Sequence, residues 1–523
     1  MRAQIFRYGY AMEIELKLLL DPADVATFRR HPLLKQRAIA KPLAQQLTSI
    51  YFDTPDLYFK RHDSALRVRR VNRDWIQTLK GGGQVTAGLH QREEWESEVD
   101  GPHLDLPALN DLVGHDTSWA KILAVPKLAD KLIPIFTTTF RRTTWQLQSA
   151  HGDEVELALD QGDVQHGATR IPISEVELEL KSGNPDALFD LALQLQYAVP
   201  LRISDISKAE RGYALYAPQP PAVVKASCFA LSTKLTVEQG FHIIVGNCLA
   251  QVQGNEAGVV QGHDPESVHQ MRIGLRRLRA ALTLFAQVTP CPAALRTELK
   301  WLAAELGAAR DWEVFVGSTL AVVVNACADK SALHQLQQAA LVMALNNRKK
   351  AAAAVSSARY ARLLLSLGSW LQKSDWRAEL AQPERERLEM PLAKFATQTL
   401  KLCHGKLEKR GKHLKEGAPS ARHRVRIAAK NVRYATEFFQ SLYPARQVRP
   451  FVHALTGLQD ALGWLNDATV AEGLLRRLAH NHPALTHSAG FVAGYLVART
   501  EQDARQLDKL WQQFKRLKCP DRK

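Results

Sequence analysis

The sequence of 523 residues predicts an α+β protein of two domains, the first built from antiparallel strands with flanking helices and the second all-α. Polar and apolar residues alternate with a period of two through much of residues 12–217, which is typical of half-buried strands. From residue 223 to about 520 the apolar residues recur instead at helical spacing. Residues 218–222 lie in a proline-rich stretch with the composition of a semi-rigid linker, so we place the domain boundary there.

Charge is distributed unevenly between the two predicted domains. Residues 1–220 contain 26 Lys and Arg against 29 Asp and Glu, whereas residues 221–523 contain 43 against 24, so the halves carry net charges of −3 and +19. Only the second half is therefore expected to attract a polyanion. The six scattered cysteines lack metal-site spacing and fit a reducing cytoplasm. No run of about 18 uncharged apolar residues occurs in the sequence, so no membrane helix is predicted. The protein is expected to be cytoplasmic, and no membrane partner is expected.

Residues 12–18 form the predicted strand around which the first domain is organised. Their alternation places Glu13, Glu15 and Lys17 on one face and three aliphatic residues on the other. Two carboxylates and an ammonium in one row suit a site that holds both a divalent cation and a multiply charged anion. A charged outer face in water is the plain alternative. The same Glu-x-Glu-x-Lys order recurs at residues 177–181, which favours the site.

The predicted elements continue in the same style along the first domain. Helices are expected near residues 22–30 and 185–198, and Gly81 to Gly83 are expected to form a flexible turn. Residues 1–11 are expected to be a short extension before the first strand. The further predicted strands are residues 47–53, 65–71, 75–80, 92–99, 136–147, 154–160 and 173–181.

Strands with one charged and one apolar face allow two arrangements. In an open sheet the charged face lies in water and the apolar face covers a core. In a closed barrel the charged faces surround a polar lumen, while helices cover the apolar outside. Rows of like charge repel unless counter-ions and substrate join them, so the mixture of Glu pairs, Arg pairs and lysines favours the lumen. The alternation alone does not decide between the two.

Eight motifs follow one another in a fixed order along the first domain. They are Glu13-Ile-Glu15-Leu-Lys17, Tyr51-Phe-Asp53-Thr54, Leu66-Arg67-Val-Arg69, Leu79-Lys80-Gly81, Arg92-x-Glu94-x-Glu96, Leu159-Asp160, Glu175-Val-Glu177-Leu-Glu179-Leu-Lys181 and Ser207-Lys208. They resemble those of the CYTH, or triphosphate tunnel metalloenzyme, family. The resemblance covers about residues 12–215 and implies an eight-stranded antiparallel β-tunnel that acts on triphosphates with Mg²⁺ or Mn²⁺. Inorganic triphosphate is the preferred substrate, because no base-binding pocket can be read from the sequence. A thiamine or nucleoside triphosphatase, a class IV adenylyl cyclase and a non-catalytic polyphosphate-binding scaffold remain as alternatives.

The resemblance also implies roles for individual residues. A buried triphosphate needs several cations around it, Mg²⁺ or Mn²⁺ needs carboxylate oxygens, and a water is expected to attack the terminal phosphorus. The expected catalytic residues are Glu13, Glu15, Lys17, Glu177 and Glu179. The expected substrate-binding residues are Lys17, Arg67, Arg69, Lys80, Arg141, Lys181 and Lys208. The expected metal ligands are Glu13, Glu15, Glu94, Glu96, Asp160, Glu177 and Glu179.

The second predicted domain contains an internal duplication. A helix that begins at Asp264-Pro265 carries a basic stripe, and the same spacing returns 154 residues later. Each stripe is followed by a matching piece, Leu306-Gly307-x-x-Arg310-Asp311 and then Leu462-Gly463-x-x-Asn466-Asp467. Two related helical bundles are therefore predicted. The stripes consist of His269, Arg272, Arg276 and Arg279 and of His423, Arg426, Lys430 and Arg433.

The basic stripes predict an anionic partner. A solvated helix face is the plain explanation, but the sequence offers no acidic partner inside either stripe to relieve the repulsion. Polyphosphate, nucleic acid or an acidic membrane would relieve it. Aromatic interleaving and DNA-binding motifs are absent from the sequence, so nucleic acid is disfavoured. The stripes and their repeat resemble the CHAD domain, an α-helical family with two-fold internal repetition, over about residues 223–515. That resemblance implies inorganic polyphosphate as the partner of the stripe residues.

Overall fold

The computed structural model describes residues 9–86, 88–114, 117–262, 264–327, 330–373, 377, 380–414 and 419–521. The chain divides into two compact units. One unit comprises the chain up to Pro220 together with Ser357–Lys373, and the other comprises Pro221–Ser356 and the chain from Ser374 onward. The first unit thus takes a segment from the second half of the sequence.

Nine strands form one sheet in the described part of the first unit, and all of their pairings are antiparallel. The strands are β1 (Gly9–Leu20), β2 (Leu43–Asp53), β3 (Ser64–Val71), β4 (Asp74–Thr86), β5 (Leu89–Val99), β6 (Ile133–Gln148), β7 (Glu154–His166), β8 (Thr169–Ser182) and β9 (Leu201–Ile203).

Eight of the strands close into a barrel. Their order is β5-β4-β3-β2-β6-β7-β8-β1, and β1 also pairs with β5, which completes the ring. β1 can serve both neighbours because it pairs with β5 through residues 9–16 and with β8 through residues 15–19. The predicted antiparallel tunnel is therefore confirmed. The first strand begins at Gly9 rather than at Met12, and residues 1–8 of the expected extension lie outside the described residues.

Twenty α-helices are present in the described residues. They are α1 (Val25–Arg29), α2 (Pro32–Gln36), α3 (Tyr58–Arg61), α4 (Leu106–Val113), α5 (Ser118–Leu123), α6 (Leu128–Lys131), α7 (Asp186–Gln196), α8 (Lys208–Tyr216), α9 (Val237–Gln253), α10 (Glu256–Gln261), α11 (Pro265–Leu284), α12 (Ala293–Val314), α13 (Ala321–Ala326), α14 (His334–Val355), α15 (Ala358–Gln372), α16 (Gln382–Glu389), α17 (Leu392–Gly411), α18 (Pro419–Phe439), α19 (Ala445–Asn481) and α20 (Thr486–Lys515). A π-helical stretch, Phe315–Leu320, joins α12 to α13.

The outside of the barrel is apolar and buried. Leu66, Leu79 and Trp95 on β3, β4 and β5 pack against a layer of short helices, α3 to α6. On the opposite strands, Leu16 and Leu178 have no exposed surface. Because the apolar faces are covered by helices, the charged faces of the same strands turn inward, as the closed arrangement requires.

The glycines at 81–83 lie inside β4 and do not form the expected flexible turn. The register between β4 and β5 shifts between Gly81 and Gln84, which marks a β-bulge. Gly83 has a φ of +98°, and a Cβ atom there would lie 1.8 Å from the carbonyl oxygen of Gln91. Glycine is therefore required for the bulge by both conformation and close approach.

Helix α8 packs against β6 and β7 at one end of the lumen. A capping box at Ser207 and Glu210 fixes its first turn. Tyr213 then joins an apolar cluster with Phe136 and donates a hydrogen bond to Asp53 at 3.0 Å. This packing places the first residue of the helix, Lys208, in a buried position.

Helix α15 belongs to the barrel unit, where it packs on α7 and β9. Ser369 donates a hydrogen bond to Asp190 at 3.3 Å, and Lys373 lies 2.8 Å from the same carboxylate. A Cβ atom at Gly368 would lie 2.2 Å from the ring of Phe189, so the two helices approach closely at this point. The outer wall near β9 is thus completed by residues that follow the first half of the helical unit in the sequence.

The second unit repeats one arrangement of four helices. α9 packs on α11, α11 on α12 and α12 on α14, and α17 to α20 pack on one another in the same succession. The two copies meet where α11 contacts α18 and where α12 contacts α19. Asp264 caps α11 by accepting a hydrogen bond from the Glu266 backbone at 2.8 Å, as its sequence predicts. In the part of the chain that the structure describes, no helix combines the length and hydropathy needed to cross a membrane.

Candidate functional site

The two acidic rows lie side by side in the barrel wall. β1 and β8 pair so that Glu15 is opposite Glu179 and Lys17 is opposite Glu177. The Lys17 ammonium lies 3.0 Å from Glu15 and 2.9 Å from Glu177. Burial disfavours its charge, but these carboxylates outweigh burial and raise the pKa of Lys17 well above its usual value. The two charged rows of the sequence are therefore in direct contact in the folded structure.

Three buried carboxylates, Asp160, Glu175 and Glu177, have oxygen atoms within 4.8 Å of one another. Oxygen ligands of this kind suit a hard divalent cation. The cluster also contains an internal cation, because Lys208 contacts all three carboxylates, at 2.6 Å from Asp160 and 3.0 Å from Glu177. A metal ion bound to this set would compete with the Lys208 ammonium.

Arg142 is the arginine of β6 that enters the lumen. Its guanidinium donates to Asp160 through Nε at 2.8 Å and through Nη2 at 2.6 Å, and it also contacts Glu177. Arg141 is exposed and projects from the opposite face of the strand. The expectation that Arg141 faces the lumen is therefore wrong, because adjacent strand residues alternate and Arg142 takes the inner position.

Ion pairs dominate the titration of this cluster. Burial raises the pKa of Glu177, but Lys17, Lys208 and Arg142 together hold it well below its usual range. The pKa of Asp160 is lowered for the same reason, chiefly by Arg142 and Lys208 against burial. These carboxylates are therefore ionised and balanced by protein cations.

Glu179 and Glu13 stand in a different environment. Burial raises the pKa of Glu179 to about 7, although Lys181 lies 2.6 Å away, and the charge of Glu13 adds to the rise. Glu13 itself lies 2.7 Å from Lys80. Carboxylate charge is therefore less fully balanced here than around Lys208. This donor set of hard, incompletely neutralised oxygens fits a divalent cation.

Two basic side chains, one on β3 and one on β4, contact the acidic row of β5. Arg67 lies 3.3 Å from Glu94 and 3.7 Å from Glu96, and Lys80 lies 3.2 Å from Glu94. The buried Nε atom of Arg67 makes no hydrogen bond to the described residues. Glu94 and Glu96, which were expected to bind metal, are thus already engaged by cations.

Arg69 is the lumen cation with the least compensation. Its Nε donates to Ser49 at 3.1 Å, and no carboxylate of the described chain lies within 4.0 Å of its guanidinium. Burial, with the charges of Arg67 and Arg142, lowers the pKa of Arg69 to about 10. A half-buried guanidinium with two cationic neighbours and no carboxylate partner in the described chain is suited to receive an anionic ligand.

Of the predicted lumen residues, the structure brings all but Arg141 into this array. Lys181 is partly exposed beside Glu179. Three residues outside the predicted site, Glu175, Arg142 and Arg211, are part of it, since Arg211 pairs with Glu175. Glu175 precedes Glu177 by two residues on the same strand face, a signal that was present in the sequence.

The two basic stripes of the second unit converge on one surface. Tyr434 on α18 accepts a hydrogen bond from Arg276 on α11. Burial, with the charges of Arg276, Arg426 and Arg272, lowers the pKa of Lys430 to about 6. Cations from both copies therefore act on one another, which two separate solvated faces would not produce.

The ends of the stripes differ from their centre. Arg279 and His423 are exposed, whereas burial and the charge of Arg310 lower the pKa of His269 to about 4. Arg433 lies 2.6 Å from Glu437, four residues later on the same helix. The expectation that the stripes contain no acidic partner is thus wrong at Arg433, because Glu437 neutralises it.

Comparison with known proteins agrees with both halves of this description. The CYTH domain family matches residues 11–213, and the CHAD domain family matches residues 243–476. A crystal structure of the CHAD domain from the plant Ricinus communis is 38% identical, with a TM-score of 0.53, and the match covers 58% of this chain and 99% of that one. The chain joins a CYTH domain to a CHAD domain.

The CYTH domain also has a curated relative. Over 204 residues it is 33% identical to the inorganic triphosphatase of Haemophilus influenzae. This match covers 39% of the present chain and 54% of the relative, so the chain spans about half the length of the curated protein it matches.

Proposed function

We propose that the CYTH domain hydrolyses inorganic triphosphate to diphosphate and phosphate. The observation that carries this proposal is a closed lumen that holds Arg67, Arg69 and Lys80 together with the acidic rows of β1 and β8. A triphosphate needs both kinds of group, cations for its oxygens and carboxylates for a metal. The triphosphatase activity named for the Haemophilus influenzae relative supports the same substrate.

Glu13, Glu15 and Glu179 would hold Mg²⁺ or Mn²⁺. They are preferred to Asp160 and Glu177, whose charges Lys208 and Arg142 already balance. When bound, the divalent cation supplies positive charge that polarises the phosphoryl group. The family resemblance implies the metal requirement, and which of the two metals serves is part of the proposal.

The protein's own cations would bind and orient the substrate. Arg69 can offer an almost unengaged guanidinium, and Arg67 retains an unpaired buried Nε atom, so both can donate to phosphate oxygens. Lys17 would stay charged and fix the positions of Glu15 and Glu177. The acidic rows would orient a water toward the terminal phosphorus while the cations stabilise the charge that develops there.

A substrate panel tests this function. Phosphate release is measured from inorganic triphosphate, ATP, thiamine triphosphate and long polyphosphate, each with Mg²⁺, Mn²⁺ or chelator. Inorganic triphosphate with a metal should give the fastest release, and chelator should abolish it. Faster release from a nucleotide or thiamine ester would move the substrate to one of the alternatives, and release in chelator would exclude the metal requirement.

We also propose that the CHAD domain binds inorganic polyphosphate along the surface where its two stripes converge. The mutual lowering of cation pKa values around Lys430 supports an anionic partner for this surface. The +19 charge balance of residues 221–523 supports it independently. Polyphosphate is preferred to nucleic acid because no base-stacking aromatic residues accompany the stripes in the sequence.

Binding of long polyphosphate, short polyphosphate and DNA at matched salt tests the CHAD proposal. Long polyphosphate should bind most tightly and lose affinity as salt rises, since counter-ions are released on binding. Reversing the charge of Arg272 and Arg426 together should weaken polyphosphate binding more than either change alone. Tighter binding of DNA would contradict the proposal.

We also propose a cytoplasmic location, which is supported by the six cysteines, all of which are free.

A further inference from the structure

The second copy of the CHAD repeat contains a cavity of about 230 Å³ between α18, α19 and α20. Its wall is mixed, with aliphatic side chains on one side and basic side chains on another. It is lined by Arg422, His423, Arg426, Leu462, Leu465, Asn466, Ala468, Thr469, Glu472, Ala493, Leu496, Val497 and Thr500.

The two copies differ in the size of one side chain at the cavity wall. The matching pieces align Leu306-Gly307 with Leu462-Gly463, which aligns Trp312 of the first copy with Ala468 of the second. Trp312 is 1% exposed and packs within a hydrophobic core. Ala468 is buried in the same core and lines the cavity, and its side chain is far smaller than an indole.

One edge of the cavity is basic. Arg422, His423 and Arg426 come from the same helix, and the Nε atom of Arg426 is buried without a hydrogen bond to the described residues. Glu472 is the acidic residue of the lining, and it pairs with Arg476 on the next turn of its helix. The lining therefore carries three basic side chains against one acidic side chain that is already paired.

We propose that this cavity binds a small organic anion with an apolar body. A phosphate or carboxylate group would accept from Arg426, and the apolar body would contact Leu465 and Leu496. The volume is below that of pockets for drug-sized ligands, about 300–1,000 Å³, so the ligand is small. Inorganic polyphosphate lacks an apolar body and gains nothing from the aliphatic wall. The site shares His423 and Arg426 with the end of the second stripe, but its aliphatic wall suits a ligand class other than polyphosphate.

Binding of four small probes to the full-length protein tests the site. Phenyl phosphate and benzoate have both a charged group and a ring, inorganic phosphate has only the charge, and benzyl alcohol has only the ring. The first two should bind at least about tenfold more tightly than the last two, because both walls are used. The better of phenyl phosphate and benzoate then identifies the charged group that the site prefers.

Two variants and a control locate the binding. Ala468→Trp should place an indole at the cavity wall and reduce the free space. Val497→Glu is the safer change, because Val497 is 57% exposed at the rim and a carboxylate there would repel an anion. Each should weaken the better probe by on the order of tenfold or more. Phe491→Glu adds the same charge to α20 at a residue that is 50% exposed and outside the lining, and it should leave the affinity unchanged.

Two outcomes would overturn the proposal. If inorganic phosphate binds as tightly as phenyl phosphate, the apolar wall contributes nothing and the cavity is only an edge of a polyanion surface. If Val497→Glu and Phe491→Glu have equal effects, the probes bind elsewhere on the domain. Loss of binding in Val497→Glu alone, with an unchanged thermal unfolding midpoint, supports the site even if Ala468→Trp does not fold.

Discussion

Arg69 and Arg142 both face the barrel lumen, yet their surroundings are opposite. Arg142 is held by Asp160 and Glu177, and burial is outweighed so that its pKa is raised. Arg69 has a hydroxyl partner, Ser49, and a lowered pKa. One arginine is therefore paired with protein carboxylates, while the other would be available to an anionic ligand under the proposed function.

Replacing each of these arginines by alanine should separate the two roles. Arg142→Ala leaves two buried carboxylates short of a cation and should lower the free energy of unfolding by about 3–5 kcal/mol. Arg69→Ala removes a charge that its cationic neighbours repel, so the free energy of unfolding should change by less than about 1 kcal/mol. The loss of one phosphate contact should raise KM for triphosphate by about 10–100-fold. Denaturant unfolding and steady-state kinetics measure both. Equal destabilisation by the two changes would contradict the distinction.

Lys430 should take up a proton when the CHAD surface binds a polyanion. Its pKa of about 6 in the free protein reflects burial and then Arg276, Arg426 and Arg272, opposed by Asp467. A bound polyanion favours the charged form and raises that pKa. Binding is therefore accompanied by proton uptake at pH values between the pKa of Lys430 in the free protein and its pKa in the complex. Polyphosphate affinity should therefore rise as pH falls from about 8 to 6.

Calorimetry in buffers of different ionisation enthalpy measures this proton uptake. Lys430→Arg keeps the charge but stays protonated throughout, so it should bind at least as tightly at pH 8 and show reduced uptake. Uptake that is the same in both proteins would assign the proton to another group.

At the scale of secondary structure, alternation in the sequence was enough to locate the eight strands of the barrel, but not the short strand β9 or every inward side chain. The pair Arg141-Arg142 shows why, because two adjacent arginines fit either face until the pairing register is known. Closure of the barrel was equally open, since a charged face in water and a charged lumen have the same pattern. The bulge at Gly83 was missed because three glycines predict a turn as readily as a bulge.

Helix α8 offers a test of how an element positions a buried cation of the lumen. A Cβ atom at Gly212 would lie 2.1 Å from the ring of Phe136, so Gly212→Ala should displace the helix and move Lys208 relative to its three carboxylates. The expected loss of stability is about 1–3 kcal/mol, with reduced turnover of triphosphate.

Gly405→Ala is the matched control for that change. Gly405 lies within α17, and a Cβ atom there would meet no other atom within 4 Å. Alanine should therefore stabilise the helix by up to about 1 kcal/mol without altering turnover. If the two glycine variants behave alike, close packing of α8 on Phe136 is not what fixes Lys208.

At the scale of the whole molecule, the two compact units do not follow the order of the sequence. Helix α15 has an amphipathic pattern that any apolar surface would satisfy, so the sequence predicted only another helix of the second domain. In the structure it packs on Phe189 and bonds to Asp190 in the barrel unit. A cut near residue 222 would therefore separate α15 from the surface it covers.

A fragment of residues 1–220 should accordingly be less stable than the same unit in the full chain. Exposing the apolar surface around Phe189 should lower its free energy of unfolding by on the order of several kcal/mol. A synthetic peptide of residues 357–373 should restore part of that stability in trans. The same peptide with Gly368→Leu should not, because its side chain would overlap the Phe189 ring. Thermal unfolding measures both, and equal effects of the two peptides would contradict the observed packing.

Phosphate release from inorganic triphosphate with Mg²⁺ by Glu13→Gln is the most direct test of a metal-dependent triphosphatase site in the lumen. Among the described residues, Glu13 forms an ion pair with one cation, Lys80, at 2.7 Å, whereas Glu177 forms ion pairs with three, so neutralising Glu13 should cost less stability than neutralising Glu177. For Glu13→Gln we expect at least about a hundredfold loss of turnover with a near-normal unfolding midpoint. The exposed control Glu154→Gln should retain full activity. Normal turnover by Glu13→Gln would contradict a metal-dependent triphosphatase site in the lumen.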